Sequence, residues 1–172
     1  ILIGDALLTR AMGLLAEYGG HTSPVLIAEL AAGVGGSGMV AGQVADLGLC
    51  AIPGGMEGIE YIHVNKTAAL MQTAARMGAV AAGADSATID GVGAFAKNIG
   101  LAFQIFDDLL DSEEDNRDNN TGDGVNRPPG SCLLFLASDE ARRLGEERTR
   151  EALACLSPLG AAAEPLRSLA AL

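Results

Sequence analysis

Aromatic residues are scarce, at 3% of the 172-residue chain with no Trp, and segments suited to a β-sheet are correspondingly few. A core made by closely packed helices is the expectation. Basic residues are also short: Lys and Arg total 11 against 22 Asp and Glu, for a formal net charge of −11. That balance argues against a nucleic-acid backbone or an anionic membrane surface as partner and favours cations as guests. The three cysteines, Cys50, Cys132 and Cys155, are widely spaced and odd in number, which indicates neither a disulfide framework nor a zinc site. A reducing cytosolic setting is expected. No apolar run is read as reaching the roughly 18 residues that span a bilayer, and no charged-then-apolar leader opens the chain. The chain also lacks an initial Met, and Ile1-Leu2-Ile3 runs straight into Gly4-Asp5 as though entering a helix already under way, so an N-terminal portion is expected to be absent.

What the sequence does have is 49% hydrophobic residues, mostly Ala, Leu, Ile, Val and Met, enough for one domain with a sizeable core. Leu7, Leu8, Ala11, Leu14 and Leu15 recur at three and four, predicting a helix over 5–18 that Gly19-Gly20 stops. Further helices are expected over 24–32, 39–50, 57–83 and 92–111, then from about 141 to Ser157-Pro158, and from 164 to the end. Residues 85–91 read as a turn. The glycine-rich stretch 33–38 is not preceded by a strand and is not followed by Lys-Ser or Lys-Thr, so close helix approach is preferred over a phosphate loop. Residues 112–130 are polar and rich in turn formers, and are expected to form a long, mobile lid.

One helix concentrates the chemistry. At about 100° per residue, Phe95, Ile99, Ala102, Phe103, Phe106, Leu109 and Leu110 fall in one arc, and Lys97, Gly100, Gln104, Asp107, Asp108 and Asp111 in the opposite one. Asp107 and Asp111, four apart, stand one above the other with Asp108 beside them. Crowded carboxylates repel unless a cation screens them, and their hard oxygens suit magnesium shared with a substrate phosphate. A solvated acidic face explains the same spacing, and spacing alone does not separate the two readings. His21 and His63 have no second ligand at metal spacing and read as structural or surface residues.

Phe103-Gln104-Ile105-Phe106-Asp107-Asp108-Leu109-Leu110-Asp111, with Asn98-Ile99-Gly100-Leu101-Ala102 before it, resembles the second aspartate-rich motif of the polyprenyl synthetase family, which includes farnesyl and geranylgeranyl diphosphate synthases. Gly4-Asp5-Ala6-Leu7-Leu8, Gly38 to Leu47 with Gln43 and Asp46, and Ile62-His63-Val64-Asn65-Lys66-Thr67 resemble three further family segments in the right order. The resemblance covers nearly the whole chain and implies the later part of a single all-α domain, an isoprenoid synthase helical bundle without its N-terminal helices. It implies a magnesium-dependent prenyltransferase that ionises an allylic prenyl diphosphate, adds isopentenyl diphosphate and loses a proton, and a homodimeric assembly.

By position, the resemblance assigns Lys66 to the allylic diphosphate, Thr67 and Gln104 to oxygen dipoles near the developing cation, and Asp107, Asp108 and Asp111 to magnesium. Gln43 and Asp46 line the cavity in this reading, with a packing hydrogen bond as the alternative. Two features depart from the family pattern. The first aspartate-rich motif is not among these residues, and Gly122-Asp123-Gly124 stands where lysines are usual, leaving Arg127 as the available substitute for phosphate binding. A non-catalytic regulatory subunit and a plain helical interaction module are the rival readings. The expectation for the fold is that Asp107, Asp108 and Asp111 point into a cavity between helices shared with Lys66 and Gln104.

Overall fold

In the computed structural model residues 1–118 and 129–171 are described, with 114–118 by their backbone alone. Among the described residues all the regular structure is helical: α1 (Leu2–Tyr18), α2 (Ser23–Val34), α3 (Met39–Asp46), α4 (Gly55–His63), a π turn (Val64–Ala68), α5 (Ala69–Ala81), α6 (Ser86–Asp118), α7 (Ser138–Cys155) and α8 (Glu164–Leu169), with short 3₁₀ turns between some of them. The all-α expectation holds, and α6 is its axis, with α5 and α7 packed along it.

Several boundaries differ from the sequence reading, each for a local reason. Residues 85–91 are not a turn, because the Asp85 carboxylate accepts from the Thr88 amide at 2.8 Å and so caps α6, which starts at Ser86. Hydrogen bonding from the Thr88 hydroxyl, and after it from the Thr88 amide, lowers the Asp85 pKa from its ordinary value. At its other end α6 runs on through Asp118, since Asp, Glu and Arg do not break a helix and no Gly or Pro intervenes. The expected lid therefore loses its first seven positions, 112–118, to helix; 119–128, including Asp123 and Arg127, lie outside the described residues. Helix α3 ends at Asp46 rather than near Cys50, where Gly48 takes a φ of 67°. The single helix expected over 57–83 is split by the π turn.

The membrane expectation also needs correcting. Gly20–Asp46 contains a window of mean hydropathy 1.5, long and apolar enough by composition to cross a bilayer. The fold breaks it at residues 35–38 into two helices, and α2 buries Leu26, Leu30 and Val34 while packing on α5.

The two-sided reading of α6 is incomplete. Phe95, Ala102 and Leu109 are buried as expected, but Phe103 and Leu110 are 53% and 59% exposed. Leu101 and Ile105, outside the predicted apolar arc, are buried instead, and Ile105 packs with Ile59, Leu109, Cys132, Leu133 and Ala141. A second cluster lies toward the start of the helix, where Phe95 and Ala96 meet Ala152, Leu156 and Ala163. A helix at the centre of a bundle is contacted from several directions, so no single arc describes its buried surface.

Ile105→Ala is accordingly expected to destabilise the fold by about 2–5 kcal/mol in urea denaturation, against less than about 1 kcal/mol for Phe103→Ala. Equal losses at the two positions would contradict this packing.

Candidate active site

The π turn carries Lys66 and Thr67. Such a turn holds one residue more than the surrounding α-helix and is stable only where tertiary contacts over-determine it. Here two glycines bring helices against it: a methyl on Gly42 of α3 would sit on the Lys66 backbone nitrogen, and one on Gly100 of α6 would stand 2.6 Å from the Ala68 Cα. With no side chain at either position, the π turn is pinned between α3 and α6 at backbone distance.

From that turn the Lys66 ammonium donates to Asp46 Oδ2 at 2.7 Å, both groups partly buried. An ammonium has three protons, so the others remain available to a ligand. Thr67 donates its hydroxyl proton to Gln104 Oε1 at 2.7 Å, which turns the Gln104 amide nitrogen toward Asp107 Oδ2 (3.3 Å) and Asp108 Oδ1 (3.4 Å). The Gln104 oxygen is thus engaged by Thr67, and its nitrogen faces the carboxylates.

Asp46, Lys66, Gln104, Asp108 and Asp111 line one cavity of about 410 Å³, closed on one side by Pro129, Gly130 and Ser131. The structure therefore brings Lys66 and Gln104 together with two of the three aspartates of the motif. Asp107 is half-buried, is not on the lining, and reaches the network through Gln104. Gln43 is exposed and also off the lining. A larger cleft of about 840 Å³ opens along Ile99, Phe103 and Phe106, but it contains none of the motif carboxylates.

Asp108 is 9% exposed, and its Oδ2 accepts from the Cys132 backbone amide at 2.8 Å. His63, read from sequence as structural or surface, is 4% exposed, with Nε2 2.9 Å from the Gly130 carbonyl oxygen and 3.6 Å from Asp108 Oδ2. Sequence reasoning passed over it because its partners lie 45 and 67 positions away. Its place three residues before Lys66, inside the Ile62-to-Thr67 segment, was the available signal. Burial lowers the His63 pKa, against the opposing pull of Asp108. Burial also pushes the Cys132 thiol up to about 12, and Asp108 acts in the same direction.

Among the described residues no three His, Cys, Asp or Glu side chains gather closely enough to hold a metal by themselves. Magnesium does not need such a cage: it keeps waters and completes its shell with substrate phosphates. One partly exposed edge of α6 with aspartates at 107, 108 and 111 fits that requirement. Among the described residues, the cavity lining also sets three carboxylates, on Asp46, Asp108 and Asp111, near the ammonium of Lys66. An anionic ligand meets net repulsion there unless cations accompany it.

Since the unfolded chain has a His63 pKa near 6.5 and burial lowers the folded value, the unfolded state binds the proton first as pH falls. The stability associated with neutral His63 is fully present above about 6.5 and is lost as pH drops through the lower folded value. Urea midpoints from pH 7.5 to 5 should fall more steeply for the wild type than for His63→Gln; parallel curves would refute a buried neutral imidazole.

The polyprenyl synthetase family model matches residues 1–143. The heterodimeric geranylgeranyl pyrophosphate synthase large subunit 1, chloroplastic, of Arabidopsis thaliana is 36% identical over 160 residues, covering 88% of this chain and 42% of that protein. The chloroplastic geranylgeranyl pyrophosphate synthase of Catharanthus roseus is 35% identical, with 88% and 44% covered. Among solved structures, an FPP/GFPP synthase of Zymomonas mobilis aligns with a TM-score of 0.80 at 35% identity, covering 97% of this chain and 57% of that one. A Helicobacter pylori geranyltransferase complexed with magnesium and isoprenyl diphosphate aligns at 0.78 and 31% identity, with 99% and 57% covered. The chain thus spans about half the length of the relatives it matches, and the plant relatives are chloroplastic by name, so kinship does not assign it to the cytosol. A helical bundle of this shape, with the aspartate-rich helix facing a lysine on a π turn, belongs with that sequence match: this chain is a member of the polyprenyl synthetase family.

Proposed function

We propose that the chain is the later portion of a prenyl diphosphate synthase, which condenses an allylic diphosphate with isopentenyl diphosphate. The observation that carries this reading is the single cavity in which Lys66 faces Asp46, Asp108 and Asp111. Among the described residues, a lining with more carboxylates than ammonium groups is poor for a bare diphosphate and suitable for a diphosphate that arrives with magnesium. The Helicobacter pylori relative, solved with magnesium and isoprenyl diphosphate, supports the choice of ligand.

In this mechanism Asp111 and the neighbouring Asp107 and Asp108 would hold magnesium, which when bound would supply neutralisation of diphosphate charge. Lys66 donates its remaining protons to a phosphate oxygen, with Asp46 fixing where the ammonium stands. Gln104, its oxygen held by Thr67, uses its amide nitrogen to orient the Asp107 and Asp108 carboxylates. Ionisation separates charge, so rate depends on how much better this arrangement binds the separated pair than the intact substrate. A homodimer is part of the proposal, supported by exposed apolar residues on α1 and α2 such as Ile3, Leu7 and Val25, and is tested by light scattering after gel filtration. Three free thiols suit a reducing compartment such as the cytosol, which fractionation would test.

The family's first aspartate-rich motif is not among these 172 residues. The 172-residue chain is therefore expected to bind an allylic diphosphate with magnesium in calorimetry and not to incorporate radiolabelled isopentenyl diphosphate. Substantial elongation would show that the second motif suffices; binding without magnesium would refute the metal assignment. A full-length protein that remains inactive would favour the regulatory subunit. Asp111→Asn should weaken magnesium-dependent binding by about tenfold, the scale of about 1.4 kcal/mol for one charged contact, while Asp139→Asn on α7 should leave it unchanged.

A further inference from the structure

We propose that His63 is a positioning residue for the Asp108 carboxylate, acting through the segment Gly130–Cys132. The ring holds the Gly130 carbonyl, and the Cys132 amide then determines which Asp108 oxygen faces the cavity. The positioning claim concerns this chain's own geometry; its consequence for ligand binding rests on the diphosphate reading above.

A carbonyl oxygen can only accept, so at 2.9 Å the His63 Nε2 must carry the proton and donate it to Gly130. Two residues along, the Cys132 amide donates to Asp108 Oδ2 at 2.8 Å. That same oxygen stands 3.6 Å from His63 Nε2, beyond a good hydrogen bond but close enough to complete a compact, water-poor group. With Oδ2 engaged by the Cys132 amide, Oδ1 is the oxygen turned toward Gln104, which lines the cavity with Asp108. A carboxylate has two equivalent oxygens and a soft terminal torsion, so nothing intrinsic to Asp108 selects this orientation.

The segment also meets the other carboxylate of the site. A methyl on Gly130 would run into Asp46 Oδ1, so the backbone here sits directly against the partner of Lys66. His63 is the last residue of α4, and three positions later in the π turn comes Lys66. One buried ring therefore couples the elements that carry Lys66 and Asp108 to the stretch of chain that closes the cavity. A merely buried, satisfied histidine would stabilise the fold without setting the orientation of Asp108.

The test compares the 172-residue wild type with His63→Leu, which fills the space without a donor, and His63→Gln, whose amide nitrogen can reach the Gly130 carbonyl. Hydrogen exchange without ligand reads the Cys132 amide against α7 amides; calorimetry reads binding of inorganic pyrophosphate with Mg²⁺. The expected result is that His63→Leu speeds exchange at Cys132 by about tenfold with α7 unchanged. It should also weaken magnesium-dependent pyrophosphate binding by about tenfold, as loss of an outer support for a ligand typically does. His63→Gln should restore both to within about threefold. Unchanged exchange at Cys132 in His63→Leu, or exchange that rises equally throughout the chain with no rescue by Gln, would overturn the proposal. If His63→Leu does not fold, His63→Gln decides it alone: Cys132 left unprotected in a folded Gln variant refutes the claim, and protection retained supports it. A wild type that binds no magnesium pyrophosphate refutes the diphosphate reading, while the Cys132 exchange contrast still decides the role of His63.

Discussion

The backbone of the π turn meets α3 and α6 at two positions, Gly42 and Gly100, where neither helix has a side chain to interpose. Everything catalytic in the proposed site depends on that contact. Lys66 and Thr67 lie between those two points, so their reach toward Asp46 and Gln104 is set by backbone packing rather than by side-chain flexibility. Packed backbones deform reluctantly, which makes the turn a firm base for a charged group that must neither wander nor collapse onto its counter-ion.

The electrostatics follow from what that base presents. Lys66 is held at 2.7 Å from Asp46, and the cavity around it is otherwise carboxylate-rich. Such an arrangement favours no free anion by itself; in the proposed function a divalent cation accompanies the ligand. The absence of a ready-made metal cage among the described residues is consistent with this division of labour, since substrate phosphate and water supply the rest of a magnesium shell. The three aspartates of the motif are not equivalent. Asp111 is exposed, Asp107 is tied to Gln104, and Asp108 is buried with one oxygen bound to the chain beyond 128.

Helix α6 links this chemistry to the fold. Its first half is anchored by Phe95 and Ala96 against α7 and the chain that follows it. Its second half is anchored by Ile105 and Leu109 against Ile59, Cys132, Leu133 and Ala141. The aspartates therefore sit on a helix gripped on several sides, and Arg142 of α7 reaches Glu113 at 3.6 Å beyond them.

Much of this was legible in the residues themselves. Helical periodicity, the scarcity of aromatics and the Phe-Gln-x-x-Asp-Asp-x-x-Asp order identify an all-α chain and its acidic helix, because these depend on neighbours three and four positions apart. The Lys66 placement was reachable only through resemblance to a family, whereas helical spacing alone put Gln104 on the face of the aspartates. Other features were decided by tertiary structure alone. The π turn has no Gly or Pro to announce it; the extra residue is stabilised by helices that arrive from 22 positions before its first residue and 32 after its last, at Gly42 and Gly100. The burial of Leu101 and Ile105, the hydrogen bond from Cys132 to Asp108 and the seat of His63 against Gly130 all join residues far apart in sequence. Local spacing governs which way a side chain leaves its helix; only the packed bundle determines what waits there to meet it.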